Sequence, residues 1–251
     1  MSEHIGIEQA DSVLTLTMNR TDKKNALTDA MYAAMVDAME EARGDAAIRA
    51  VVIRGAGETF TAGNDIGDFL AAGSSTAERN VFRFLRMLAT FDKPLVAGVQ
   101  GKAVGIGTTL LLHCDYAVLA HDAELSTPFV KLALVPEAAS SVLLPARIGH
   151  ARAFEMLAMG QPMGAQEAHH CGLANEVVSR DTLDQAIDAA TTRIAALPPE
   201  AVAASKRLMR ETTGVAEAME REGRIFAERL QSGEAREAFT AFMEKRAPKF
   251  G

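Results

Sequence analysis

Short apolar runs, each closed by glycine or a polar turn and separated by stretches of helical periodicity, constrain this chain most. VLTLTMN (13–19) alternates apolar and polar residues as a half-buried strand does, and AVVIRGAG (50–57) is a β-branched run stopped by glycines. Between them Thr28 is placed to cap a helix over DAMYAAMVDAMEEAR, where Met31, Met35, Val36 and Met39 recur at spacings of three and four. KPLVAGVQG (93–101), a helix from Gly105 to His113 and a strand over DYAVLA (115–120) continue the pattern. Strands alternating with helices predict an α/β fold with a layered core.

Near residue 150 the chain changes character. HARAFEMLAMG, AQEAHHCG, TLDQAIDAATTRIAAL, PEAVAASKRLMRE and one amphipathic tail from Val215 to Lys245 read as almost wholly helical. Pro198 and Pro199 mark the expected boundary between a core, 1–197, and a helical carboxyl-terminal region, 198–251. Apolar helix faces need cover from the same core or from a second copy, so a homo-oligomer is expected.

Several function classes drop out on composition. A formal net charge of -7 disfavours nucleic acid and acidic membranes, whose binding is driven by positive charge. Few aromatics and no tryptophan leave no platform for base stacking. No run approaches the roughly 18 apolar residues of a membrane helix, and MSEHIGIEQADS lacks a basic and an apolar leader, so a cytoplasmic protein is expected. Cys114 and Cys171 are far apart and form no metal-ligand cluster, so both are read as reduced thiols.

Three segments stand out against plain scaffold. In ETFTAGNDIGDF (58–69), small residues bring bare backbone to a strand end; either its amide hydrogens face a ligand or the stretch is a tight turn in which Asp65 caps the next helix. In GKAVGIGTTLLLHCD (101–115), Gly105-Ile106-Gly107 puts unpaired N–H groups at a helix start, for an anion or for close packing. LVPEAASSVLLP (134–145) carries one carboxylate, Glu137, among apolar and small residues. It is either a first-turn helix cap after Pro136 or an acid held for chemistry; the helix dipole would lower its pKa and apolar neighbours raise it. Adjacent His169 and His170 point to different sides of a helix, which disfavours a metal site. Ser140 and Ser141 lack the context of a nucleophile elbow.

Jointly, NRTDKKNALT, FTAGNDI, VAGVQGKAVGIGTTLLLHCD, ELSTPFVKLALVPEAASSVLLPARIG, AFEMLAMG, AHHCGLANEVV and AFMEKRAPKF follow the order of the enoyl-CoA hydratase/isomerase (crotonase) superfamily, which the chain resembles over essentially its whole length. The resemblance implies a spiral of ββα units with a helical carboxyl-terminal oligomerisation region, trimers or dimers of trimers, an acyl-CoA thioester substrate, and no metal or redox cofactor. It implies that the backbone N–H groups of Asn64 and Ile106 form an oxyanion hole. It further implies that Lys24, Ala26, Ala62, Asp65 and Ile66 line the CoA site, largely through main chain, and that Phe242 and Lys245 reach the CoA of the same or a neighbouring subunit.

Departures from the family pattern narrow the expected reaction. Hydratases of this family carry two glutamates at positions that here hold Thr109 and Phe129. The pattern of Pro136, Glu137, Ser140 and Ser141 is instead similar to peroxisomal-type Δ3,Δ2-enoyl-CoA isomerases, in which the glutamate at the position of Glu137 is the acid/base. The expectation is an isomerase moving a 3-enoyl double bond to the 2-trans position. A hydratase-like, lyase or hydrolase activity in the same site, or a CoA-ester binding protein without turnover, are the alternatives. Leu70, Phe82, Leu85 and Phe129 are the expected walls of the acyl pocket, beside a polar and mobile loop over 71–80.

Overall fold

The structure is a computed structural model and describes residues 2–71, 79–210 and 212–250. Strands β1 (Ile5–Ala10) and β2 (Val13–Met18) pair antiparallel, and β2 then runs parallel to β3 (Ala50–Gly55). The expected alternation along β2 is real, with Leu14, Leu16 and Met18 buried. β1 carries no such signal because it is an edge strand with only Ile5 buried, which is why the sequence does not announce it. Helix α1 (Asp29–Gly44) connects β2 to β3, and the Thr28 side chain caps it by accepting from Met31 N at 3.4 Å.

A repeating unit follows. After β3 come α2 (Ile66–Ala71) and α3 (Asn80–Thr90), and then β4 (Leu95–Val99) joins the large sheet. Next, β5 (Lys102–Val104) leaves that sheet for a second, small one and leads into α4 (Ile106–Thr109), continued by a 3-10 turn over Leu110–His113. The same path is repeated by β6 (Tyr116–Ala120) in the large sheet and β7 (Glu124–Ser126) in the small one, ahead of α5 (Ser140–Ile148). After α6 (His150–Leu157), β8 (Met163–Gly164) closes the small sheet against β7; after α7 (Ala165–His170), β9 (Glu176–Val178) closes the large one. The strand orders are β1-β2-β3-β4-β6-β9 and β5-β7-β8. The short β8 and β9 are the exceptions to the almost wholly helical reading beyond residue 150; two or three residues are too few to display a period.

Both faces of the parallel strands are covered, so β4 is buried throughout and reads as a continuous apolar run. One face meets the main core. On the other lies α8 (Leu183–Ala195), whose Leu183 and Ile187 pack on Val52, Val96 and Val118. Gly98 makes this possible, since a Cβ there would stand 2.0 Å from Ile187 Cδ1.

Beyond Pro198 come α9 (Pro199–Met209), α10 (Thr212–Leu230) and α11 (Gly233–Met243). The expected single tail from 215 to 245 is thus two helices, broken where the Ser232 side chain accepts from Ala235 N and caps α11. Both turn back onto their own chain: α10 packs on α3 and α5, and α11 on the turn at Val130–Leu132. Among the described residues no helix is long and apolar enough to cross a membrane.

Candidate active site

Two glycine-bearing segments meet where the spiral passes from one sheet to the other. Asn25, buried with φ of 55°, donates from Nδ2 to Thr59 O at 2.7 Å and Ala56 O at 2.9 Å, and Thr61 Oγ1 donates back to Asn25 O at 2.7 Å. Leu27 N donates to Gly63 O, and Asp65 N to Leu27 O, both at 2.8 Å. These bonds fix Asn64 between them, so its own N–H faces the opposite side from Leu27.

The second arm is held against the first by Thr61 N donating to Lys102 O at 3.1 Å and Val104 N to Thr61 O at 3.0 Å. Gly63, with φ of 87°, lies so close that a Cβ would stand 2.9 Å from Val104 O. Gly105, at φ 57° and ψ -116°, then turns the chain into α4. As the first residue of that helix, Ile106 has no intrahelical acceptor for its N–H. Asn64 and Ile106, whose amides the bonds above do not use, both line one shared cavity of about 160 Å³.

Glu137 faces the same space. It does not sit in the first turn of a helix: α5 begins only at Ser140, after Ala138 and Ala139 with φ of 61° and 55°, so the helix-cap reading is overturned. Its side chain is half-buried. It lines both the 160 Å³ cavity and a second of about 320 Å³, walled by Val81, Phe82 and Leu85 of α3 and Met219 of α10. Asn64 and Phe226 also line both, so the carboxylate stands where the two lobes join.

Burial pushes the Glu137 carboxyl up to about 7; the Thr109 hydroxyl, donating to Oε1 at 2.6 Å, pulls down and the Glu222 charge adds to the rise. Thr109→Val removes a hydrogen bond that favours the carboxylate. The acidic limb of kcat/KM is expected to move up by about one pH unit, as checked by a pH–rate profile.

The structure brings together Glu137, Asn64, Ile106, Ala62, Ile66 and Phe242, all on the 160 Å³ cavity. Phe82 and Leu85 wall the larger cavity and Phe129 the smaller; the side chain of Leu70 and residues 72–78 lie outside the described residues. The Asp65 carboxylate accepts from Asp68 N at 3.0 Å, the cap of α2, and from Arg20 at 2.7 Å; together these hold it below the usual carboxylate range. Lys24 sits in the left-handed region and its carbonyl accepts from Ala62 N at 2.9 Å; Arg20 Nη1 reaches Ala26 O at 3.1 Å. Lys245 is exposed just past α11.

Sequence reasoning missed three supporting groups. Tyr32 donates its hydroxyl to Asn64 Oδ1 at 2.6 Å and, being buried, holds its proton well above the ordinary range. His113 donates from Nε2 to Ala138 O at 2.8 Å, and burial lowers it to about 3, so it stays neutral. Glu222 of α10 accepts from Ala139 N at 2.6 Å and Ser141 N at 2.9 Å. A signal for Glu222 exists: it falls on the inward stripe of Val215, Ala218, Met219 and Phe226, where a carboxylate is out of place. Among the described residues no cluster of His, Cys, Asp or Glu could hold a metal ion. Both cysteines are free, with burial pushing the Cys114 thiol up to about 12.

A spiral α/β fold in which a carboxyl of raised pKa shares a cavity with Asn64 and Ile106 is an arrangement able to serve acid–base chemistry at a developing oxyanion. The comparisons specify which kind. The family model described as Enoyl-CoA hydratase/isomerase matches residues 8–251. A crystal structure of an enoyl-CoA hydratase/isomerase from Pseudoalteromonas atlantica T6c superimposes with a TM-score of 0.96 at 41% identity, covering 99% of this chain and 100% of that one. The 2,3-dehydroadipyl-CoA hydratase of Escherichia coli K12 is 33% identical over 100% of this chain and 99% of its own length. Enoyl-CoA delta isomerase 2 of Rattus norvegicus is 36% identical over 84% of this chain and 55% of its own. The chain belongs to the enoyl-CoA hydratase/isomerase family and has the crotonase fold.

Proposed function

We propose that the protein is an enoyl-CoA isomerase that moves a 3-enoyl-CoA double bond to the 2-trans position, with Glu137 as the one proton carrier. The observation that carries this reading is the environment of Glu137: a carboxyl held near 7, facing the cavity of the Asn64 and Ile106 amides, with Thr109 and Phe129 where a hydratase has carboxylates. The likeness to a delta isomerase adds to it.

In the first step the Glu137 carboxylate takes a proton from C2, and the C–H electrons form a dienolate whose charge rests on the thioester oxygen. The Asn64 and Ile106 N–H groups stabilise that oxygen; one such donor contributes on the order of 3 kcal/mol. In the second step the oxygen lone pair reforms the carbonyl, the C1–C2 π electrons become the C2–C3 double bond, and the C3–C4 π electrons take the proton from Glu137 to form the new C4–H bond, leaving Glu137 a carboxylate again. The isomerisation leaves the oxidation state of the substrate unchanged, so it asks for no redox cofactor.

CoA would lie along Lys24, Ala26, Ala62, Asp65, Ile66, Phe242 and Lys245, with the acyl tail in the 320 Å³ lobe. Ala62, Ile66 and Phe242 already border the cavity that contains the amide pair. Incubation with 3-trans-hexenoyl-CoA and, separately, with a 2-trans-enoyl-CoA tests the reading. Formation of the conjugated 2-enoyl product is expected; loss of conjugation from the second substrate, without reaction of the first, would mean hydration. Tight binding with no change to either would mean a passive CoA-ester protein.

A further inference from the structure

The peptide that follows Glu137 is gripped from two sides, and neither grip belongs to the catalytic scheme. Ala138 and Ala139 are both left-handed, with φ of 61° and 55°, a conformation that residues other than glycine, asparagine and aspartate rarely adopt. Such a turn persists only when its surroundings impose it. His113 holds the Ala138 carbonyl at 2.8 Å. Glu222 holds the amides of Ala139 and Ser141 at 2.6 and 2.9 Å, reaching in from a helix 81 or more residues away in the chain. Glu222 is 5% exposed and lines the 320 Å³ cavity together with Glu137.

We propose that Glu222 is a positioning residue for the isomerisation: from α10 it fixes the 138–141 turn so that the Glu137 carboxylate faces the Asn64 and Ile106 amides. The inference rests on the isomerase reading of the site and assigns a second acidic residue to it. A carboxylate is the right group, because two amides converge on it and each charge-assisted bond is about twice as strong as a neutral one. Its charge has a second effect, since a like charge beside Glu137 raises its pKa and so makes its carboxylate a stronger base toward the C2 proton.

The other groups around Glu137 have different roles. Tyr32 of α1 is bonded to Asn64, Thr109 of α4 donates to Glu137 itself, and neutral His113 is bonded to Ala138. Arg86 of α3 and Glu220 of α10 are exposed at the rim of the larger cavity, Arg79 lies at the head of α3, and Arg221 neighbours Glu222. Glu222 both touches the turn and bears on Glu137.

The simpler role, a carboxylate that merely caps α5 from outside, predicts a lower Tm and nothing more. The distinguishing experiment titrates Glu137 in substrate-free protein by 13C-carboxyl NMR, assigned with Glu137→Gln, alongside kcat and KM on a 3-enoyl-CoA. In Glu222→Gln the Glu137 midpoint is expected to fall by about one pH unit. kcat should fall at least about tenfold with KM within about threefold, the pattern of a transition-state defect. Glu222→Asp keeps the charge on a shorter arm, so its midpoint should stay near that of the wild type while kcat still falls. An unchanged midpoint and kcat in Glu222→Gln would overturn the proposal; should that variant not fold, wild-type kcat in Glu222→Asp would do so. The titration needs no substrate, so a failed isomerase reading would appear separately, as inactivity of the wild type.

Discussion

Glu137→Gln is expected to lower kcat for isomerisation by about three to four orders of magnitude and, at pH 8, to make the protein more stable. Both effects come from one group. Glutamine keeps an oxygen to accept from Thr109 but can neither take the C2 proton nor deliver one to C4. The wild-type acid ionises near 7 in the folded protein against an ordinary value of 4.5, so between those values the folded state binds more protons than the unfolded. Stability therefore falls as pH rises from 4.5 to about 7 and stays lower above it, by about 3 kcal/mol in all. The neutral variant escapes that loss. Urea melts of both proteins at pH 4.5 and pH 8 check this: the curves should lie close together at the lower pH and separate at the higher, with the variant the more stable.

Gly63→Ala is expected to cost about a hundredfold in kcat and about 1–3 kcal/mol in stability. The residue has a φ of 87°, and its missing Cβ is the space in which Val104 O approaches. A methyl group there must push the two arms apart, and the arms carry the two donors of the oxyanion hole. Loss of aligned donation at either amide removes stabilisation that exists only in the transition state, so kcat should fall while KM changes little. Gly164→Ala is the control, because a Cβ there meets nothing within 4 Å and the backbone is not in the positive-φ region. It should behave as wild type in both kinetics and thermal melts.

The main architecture is legible in the sequence where elements are long enough to show a period. Leu14, Leu16 and Met18 alternate, and Met31, Met35 and Met39 line one face of α1, because each segment buries one side against the core. The small sheet is not legible, since its strands have two or three residues and are defined by partners elsewhere in the chain. The same limit applies to the site. The glycine at 63 announces close backbone approach and the one at 105 a positive-φ turn into α4, and Glu137 is conspicuous among apolar neighbours. The hydroxyl that moderates it is 28 residues away, and the carboxylate that grips its turn is 83 residues from Ala139, at distances only the fold defines. Thr109 shows the limit clearly: the sequence reads it as the place of a missing glutamate, whereas the structure makes it the hydrogen-bond donor to the remaining one.

Isotope transfer tests the single-carrier mechanism most directly. A 3-enoyl-CoA bearing deuterium at both C2 positions is turned over once in ordinary water, and the 2-enoyl product is read by NMR. A single shielded carboxylate that carries the hydron across one face of the acyl chain should leave a substantial share of product with deuterium at C4. Product in which C4 has gained only protium would show that the departing hydron reaches solvent before return, contradicting the account of Glu137 as an enclosed shuttle.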